Sequence, residues 1–534
     1  MINSKTDCFL IGYNEVEIQR HRSLLSYLYG KKSHYFRDRI KYSLSHITHE
    51  NETFSPLSFY NKYANHGNDN NLNIITESLN LAIAYLGTYL VANHLTFDYI
   101  NSFQEEKQKL AERLGKREIA CIGIITTYYI FPYPILEIIK YIRKIDKNIP
   151  IIIGGPYIGN LVRNDSDNLT HLMKTIDADI YIYENTGLQT MVNVVHALKC
   201  SCEIDKIANV YYKKDDSYVF TFTDEESISF NEQRVDWSLF ERNMNRVINL
   251  QTAVSCPFQC NFCNYPKYAG KYKSSSIDYI ETCLNNIYKI SKTSAIQFVD
   301  DSFNIPKERF KKILRLIIKN KYNFKWSSYF RCQNYDEETI DLMRESGCVN
   351  VFIGIESGSQ TILENMNKRT NIDQYYECIE LFNKYNILST ASLIIGFPGE
   401  TEKTCEETFN FIENAKPTFF QQRLWWYDKT APISQYEETY NLKGAGYDWS
   451  HCTMNSNEAH DLADNLFFSV KNSIHITEYP LVLFFLNRGL SYENVISYLE
   501  SYSFCNKEEY FKLNNTEESK NFHIHKMISS ITSF

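Results

Sequence analysis

The chain has 534 residues, 43% of them apolar and 15% aromatic, which is enough for more than one hydrophobic core and excludes a small module or a disordered polymer. Its 56 Lys and Arg against 64 Asp and Glu leave a formal charge of -8 without a basic run, so the electrostatic footprint of a nucleic-acid binder is missing. The expected partner is a small-molecule or carrier-bound substrate, with no nucleic acid and no membrane.

The first residues, MINSKTDCFLIGYNE, set Asp7 and Glu15 around a very short apolar run, unlike a signal peptide. The most apolar long stretch, LAIAYLGTYLVA, is too short to span a bilayer, which needs about 20 apolar residues. The expected location is cytoplasmic. Of the 14 cysteines, Cys8, Cys121, Cys283, Cys348 and Cys505 are scattered and read as buried thiols. Cys200 and Cys202 lack the second pair that a metal site needs.

In chain order, residues 1–80 read as a segment joining the first domain, with an Asn-rich loop, HGNDNNLN, at 66–73. Over residues 81–200 helical and strand patterns alternate. LAIAYLGTYLVANHL has helical spacing and TFDYINSF alternates like a strand; CIGIITTYYI, PIIIGG and DADIYIYENTG are further strands, with PILEIIKYIRKI a helix between the first two. Such alternation predicts a doubly wound parallel sheet, a Rossmann-like α/β domain. Residues 201–245, polar and hairpin-like, read as a linker. Over residues 246–430 the strands INLQTAVS, SAIQFVDD, FKWSSYF, VNVFIGIESG, LSTASLIIGFPGE and PTFFQQRLWW, separated by helix-length segments, predict a partial (βα)6 barrel. Residues 431–534 read as a mostly helical extension. Its start and the preceding aromatics, Trp425, Trp426, Tyr427, Trp449 and His451, could line a substrate pocket or merely close the open barrel.

The run SCPFQCNFCNYP follows the first barrel strand, in a loop at the mouth where such barrels carry chemistry. Cys256, Cys260 and Cys263 can bind three irons of a cubane cluster and leave the fourth open to a chelating ligand. Zinc is the rival, but a structural zinc site wants four closed ligands and the loop offers no fourth. Glu356 ends an apolar strand at the mouth, where an acceptor could meet a ligand's hydroxyls, or cap the next helix. Gly396, Pro398 and Gly399 form a tight turn that admits close backbone approach. Asp300 and Asp301 could be acids or a cap, with at least one expected to be structural. Arg331 could anchor a carboxylate or phosphinate oxyanion, or make a salt bridge within the barrel.

The spacing of CPFQCNFC, with Phe262 before its last cysteine, resembles the signature of the radical S-adenosylmethionine (SAM) superfamily. FVDDSF, GIESGS and IIGFPGET, at residues 298–303, 354–359 and 394–401, resemble that superfamily's second, fourth and fifth strands. The resemblance covers roughly residues 247–430 and implies a [4Fe-4S] cluster on the three cysteines, with SAM contacts from Phe262, Glu356, Ser357, Gly396, Pro398 and Gly399. The segment 81–198 resembles the cobalamin-binding domain that precedes many such enzymes, through TTYY, GGPYIG and ENTG. It implies cobalamin contacts from Thr126, Thr127, Gly154, Gly155, Pro156, Tyr157, Glu184 and Gly187. The Asp-x-His-x-x-Gly motif that supplies a lower axial histidine in mutases and methionine synthase is absent, as in the radical methyltransferases.

With DCFLIGYNE, FDYINSFQEEK, AGKYK, FVDDSFNIPKERFK and WSHCTMN, the whole chain most resembles the P-methyltransferases of phosphinate antibiotic biosynthesis. The implied activity is methylcobalamin-dependent methyl transfer to an unactivated carbon or a phosphinate phosphorus of a natural-product intermediate, with electrons from a flavodoxin or ferredoxin. Rearrangement, cyclisation or epimerisation without methyl transfer is the alternative. A methylthiotransferase acting on tRNA would need a basic appendage and further cluster cysteines, and neither is present.

Overall fold

The computed structural model describes residues 5–15, 18–31, 33–38, 40, 42, 45–64, 78–164, 168–230, 232–244, 247–291, 294–333, 335–511 and 517–532. The Asn-rich loop expected at 66–73 lies outside them. The chain forms two compact units, one over Met1–Val16, Ile75–Met244 and Thr282–Ile290, the other over Glu17–Ile74, Asn245–Glu281 and Ser291–Phe534.

The sheet of the first unit contains β1 (Thr6–Tyr13), β2 (Phe97–Ser102), β3 (Ile119–Ile125), β4 (Ile151–Gly154), β5 (Ile180–Ile182), β6 (Val210–Lys214) and β7 (Ser217–Phe220). Their spatial order is β2-β1-β3-β4-β5-β6-β7, with the first five parallel and the last two antiparallel. This is the doubly wound sheet expected, and its chain order reverses between β1 and β3, where such sheets bind ligands. Ile122, Ile124, Ile151 and Ile153 are buried with Ile135, Ile138 and Ile142 of helix Tyr133–Ile145 in one core. The i, i+3, i+7 spacing of those helical isoleucines sets the buried stripe.

The second sheet is wholly parallel and follows chain order: β8 (Val247–Leu250), β9 (Ala295–Phe298), β10 (Trp326–Phe330), β11 (Cys348–Glu356), β12 (Leu388–Ile395), β13 (Phe419–Leu424) and β14 (Ile474–His475). A helix precedes each of β9 to β13, as in a partial barrel of βα units. Helix Pro480–Asn487 is apolar all round, buried from Leu481 to Leu486, and packs against β8, β9 and β11.

Three boundaries differ from the sequence reading. Residues 1–80 do not form one segment: β1 pairs on both sides inside the first sheet, whereas residues 17–74 belong to the second unit. There the Tyr502 hydroxyl donates to Ser45 O and Phe54 O, both at 3.0 Å, and the Tyr510 hydroxyl to Ile40 O at 3.0 Å. Residues 210–220 are a hairpin that extends the first sheet, because Val210, Tyr211 and Tyr212 pair with β5. The C-terminal region is more than an extension, since it supplies β14 and the wall described below.

No helix among the described residues is long and apolar enough to cross a membrane.

Candidate functional site

The cysteine loop begins where β8 ends. A two-residue ribbon pairs Ala253 with Ser274 and Val254 with Lys273, closing the loop at its base. Asp300, 1% exposed, accepts from Thr252 N at 2.6 Å, Ala253 N at 3.0 Å and Thr252 Oγ1 at 2.5 Å. Burial pushes its carboxyl up to about 6, against the pull of those donors. Asp300 is therefore the structural member of the acidic pair; Asp301 is exposed beside it and accepts from the Tyr265 side chain.

Cys256 Sγ lies 3.3 Å from Ser302 Oγ, and Cys260 is buried. Burial raises the Cys263 thiol to about 11, with the Cys260 and Cys256 sulfurs adding to the effect. The three sulfurs thus share one electrostatic environment. Among the described residues no three His, Cys, Asp or Glu side chains form a preformed metal set, the three loop cysteines included.

Neighbouring loops hold the same segment. Asn261 N donates to Met366 O at 2.8 Å, Asn367 Nδ2 to Gln259 O at 2.8 Å, and Ile433 N to Asn261 O at 2.9 Å. Arg331, at the end of β10, stacks its guanidinium 3.6 Å over the Phe258 ring and points Nη1 at Cys260 Sγ, 3.6 Å away. Its Nε donates to Gln333 Oε1 at 2.7 Å and its Nη2 to Lys368 O. Three of the five guanidinium N–H donors are engaged by these contacts, none by a carboxylate, so neutral partners stand where a barrel salt bridge was expected.

Glu356 ends β11 at φ +67 and accepts a 2.7 Å ion pair from Lys368 Nζ, both side chains buried. Ser357 Oγ accepts from Ser359 N at 3.1 Å and lies 3.2 Å from Thr408 Oγ1, so it orders the turn into helix Gln360–Asn365. After β12, Gly396 and Gly399 take φ +94 and +92, and a Cβ on Gly396 would lie 2.5 Å from the Trp449 ring. Gly396 N donates to the fully buried Glu400 carboxylate, and Pro398 O accepts from Asn365 Nδ2 at 3.1 Å.

Of the two pictures for the aromatic segment, packing accounts for most of it. Trp425, Tyr427 and Trp449 share a core with Phe397, and Phe262 packs against it. His451 stacks on Trp449 and sets Nε2 3.1 Å from Gly396 O, while Nδ1 accepts from Thr453 N at 3.4 Å; the pattern assigns the Nε2 proton to Gly396. Trp426 stays 42% exposed. Lys368, Glu400 and Ser302 were not singled out from sequence. Glu400 stands inside the quoted IIGFPGET and Ser302 inside the quoted FVDDSF, whereas Lys368 carries no local signal.

In the first unit, the residues expected to meet cobalamin lie at the C-terminal ends of β3, β4 and β5. Thr126 spends both N and Oγ1 on Gly154 O, at 3.0 and 2.8 Å, so it braces two loops. Thr127 and Pro156 are exposed; Tyr157 is buried in the sheet core. Gly155 sits at φ +110 where a Cβ would lie 2.9 Å from Thr126 Oγ1, and Gly187 at φ +66 starts helix Leu188–Cys200. Burial raises the Glu184 carboxyl above its ordinary range, with Glu226 and Glu225 adding to it. A cavity of about 510 Å³ beside that helix start is lined by Tyr89, Gln189, Glu225, Glu226 and Glu232 and by none of these loop residues.

Residues 250–412 match the family model described as the Radical SAM superfamily. That stretch is similar to radical SAM domains over most of the second sheet. An uncharacterized methyltransferase of Pyrococcus horikoshii is 24% identical over 372 residues, 65% of this chain and 78% of the relative. The radical SAM methyltransferase TsrM of Kitasatospora setae, solved with cobalamin and a [4Fe-4S] cluster, superposes with a TM-score of 0.55 at 16% identity, covering 68% of this chain and 75% of that one. The cobalamin-dependent radical SAM enzyme OxsB, solved with aqua-cobalamin, gives 0.60 at 15% identity, covering 98% and 76%. At these identities the structural likeness is one of fold, and it spans both α/β units.

Proposed function

We propose that the chain is a radical SAM enzyme that transfers methyl groups with cobalamin, acting on an unactivated carbon or a phosphinate phosphorus of a small-molecule or carrier-bound substrate. The observation that carries the reading is the cysteine loop: three thiols on one short segment at the mouth of a parallel βα sheet, with no fourth donor in the loop. That donor set fits a [4Fe-4S] cluster held by Cys256, Cys260 and Cys263 better than a closed zinc site. Bound there, such a cluster supplies the electron that cleaves SAM, delivered by a flavodoxin or ferredoxin.

The chain's own part is to bind and to orient. Asp300, Arg331, Asn261 and Asn367 fix the loop, and the aromatic wall from Phe262 to Trp449 keeps water from one side of the mouth. Glu356, held by Lys368, presents its free oxygen to ribose hydroxyls of SAM, and the Gly396 to Gly399 turn offers backbone. In the first unit, the loops after β4 and β5 would hold cobalamin, which supplies the methyl group; Gly155 and Gly187 give these loops their left-handed turns, and at Gly155 a side chain would strike Thr126.

Anaerobic reconstitution with iron, sulfide and hydroxocobalamin, followed by metal analysis, tests this directly. About four irons and about one cobalt per chain are expected, together with a product heavier than its substrate by one methylene. Cluster without cobalt and a product of unchanged mass would favour rearrangement; zinc, or no metal, would sink the proposal.

A further inference from the structure

Arg331 is a permanent cation, 8% exposed, and among the described residues no carboxylate pairs with it. Such a charge, taken out of water without an anion, is strongly unfavourable. Yet the surroundings are built around it. Phe258 covers one face of the guanidinium at 3.6 Å, Gln333 takes Nε, the Lys368 carbonyl takes Nη2, and the remaining Nη1 meets the Cys260 sulfur at 3.6 Å. Phe258 and Cys260 belong to the cysteine loop, and Lys368 also holds Glu356. The missing anion is therefore on the sulfur side.

We propose that Arg331 is a positioning residue that donates a charged hydrogen bond to the Cys260 thiolate of the bound cluster and so raises the cluster's reduction potential. The inference rests on the cluster proposed above. Reduction adds one electron to the cluster and breaks no bond, so the reduced form carries one more negative charge. A fixed cation at a ligand sulfur stabilises that form more than the oxidised one, and hydrogen bonds to cluster sulfurs and local charge are the protein's levers on potential. The Lys368 carbonyl and Gln333 hold the fork in register, which links the sulfur contact to the strand that presents Glu356.

The test compares wild type, Arg331→Met, Arg331→Lys and Gln333→Ala after anaerobic reconstitution, reading iron per chain and the midpoint potential by dithionite titration with electron paramagnetic resonance. Arg331→Met is expected to keep its iron and to lower the equilibrium constant for reduction by roughly tenfold, the size of one charged hydrogen bond. Arg331→Lys should fall between it and wild type, because a point charge keeps the sign but loses the fork. Gln333→Ala keeps the cation and the Lys368 contact but loosens the fork, so it should shift the potential by clearly less than Arg331→Met.

An unchanged potential in iron-loaded Arg331→Met overturns the inference, most plainly if SAM binding weakens instead, since that marks a carboxylate anchor. An equal shift in Gln333→Ala overturns it too, by showing general loosening. If Arg331→Met fails to fold, Arg331→Lys decides alone: a lowered potential supports the inference and an unchanged one ends it. Wild type without iron would sink the cluster reading itself, a different failure from either.

Discussion

Glu356 and Lys368 face each other at 2.7 Å with little solvent on either side. Removing one partner of a buried pair leaves an uncompensated charge, which typically destabilises by about 3–5 kcal/mol, whereas removing both is far milder. Lys368→Met is thus expected to lower the urea midpoint strongly and Lys368→Met with Glu356→Gln to recover most of the loss; equal losses in the two would show that no pairing energy is held there. Gly396 is a second case. Its φ of +94 and the Trp449 ring 2.5 Å from a would-be Cβ penalise any side chain, so Gly396→Ala should destabilise by roughly 1–3 kcal/mol and change the near-ultraviolet dichroism of the packed tryptophans. The places of Glu356 at a strand end and of Gly396 in a tight turn are legible in the sequence, because each is set by local pattern. Lys368 and the engagements of Arg331 are not, since Arg331 and Cys260 lie 71 residues apart and no pattern in the chain announces their meeting.

Elements were read well where apolar β-branched runs met helical spacing, as in CIGIITTYYI followed by PILEIIKYIRKI, which became β3 and helix Tyr133–Ile145. Strand β1 is not legible from its short apolar run alone, because nothing before it repeats and its partners begin about 90 residues later. Strand β14 has two residues, too few for any period. The 210–220 hairpin reads as linker in the sequence because its polar outer face hides the pairing with β5. The segment after that hairpin also supplies a cap. Helix Leu188–Cys200 starts at Gly187, which has no side chain to offer, and Glu226 instead accepts from Leu188 N at 3.0 Å and Thr190 N at 2.7 Å. A carboxylate at a helix N-terminus contributes about 1 kcal/mol through both hydrogen bonds and the helix dipole. Glu226→Ala should therefore lower the thermal midpoint of the first unit by a few degrees, and Glu226→Gln by less; no change in either would refute the cap.

At the scale of the whole molecule, the pH dependence of stability depends on acids that folding buries, more than on the net charge of -8. Glu400 is fully buried under the Gly396 turn, and burial pushes its carboxyl up to about 7, against hydrogen bonds from Gly396 N, the Cys405 side chain and Phe397 N. Asp300 is pushed up to about 6. For both, the folded value lies above the unfolded one, so the native state binds the proton more tightly than the unfolded chain. Their stabilising contribution is therefore complete below the unfolded values near 4, and is lost as pH rises through about 6 for Asp300 and about 7 for Glu400. Each raised value corresponds to roughly 3 kcal/mol across its window. Asp336 runs the other way. Its carboxyl is held well below the usual range by Thr339, Lys311 and Lys307, more strongly than its own burial raises it, so its contribution is lost only as pH falls through the acid range. Urea midpoints of the cluster-free protein should accordingly decline from about pH 5 to pH 7.5, and Glu400→Gln, which keeps an acceptor for Gly396 N but carries no charge, should flatten the upper half of that decline. A midpoint that rises with pH over the same range, or a variant whose slope matches wild type, would show that Glu400 is ionised in the fold and that the turn draws its order from elsewhere.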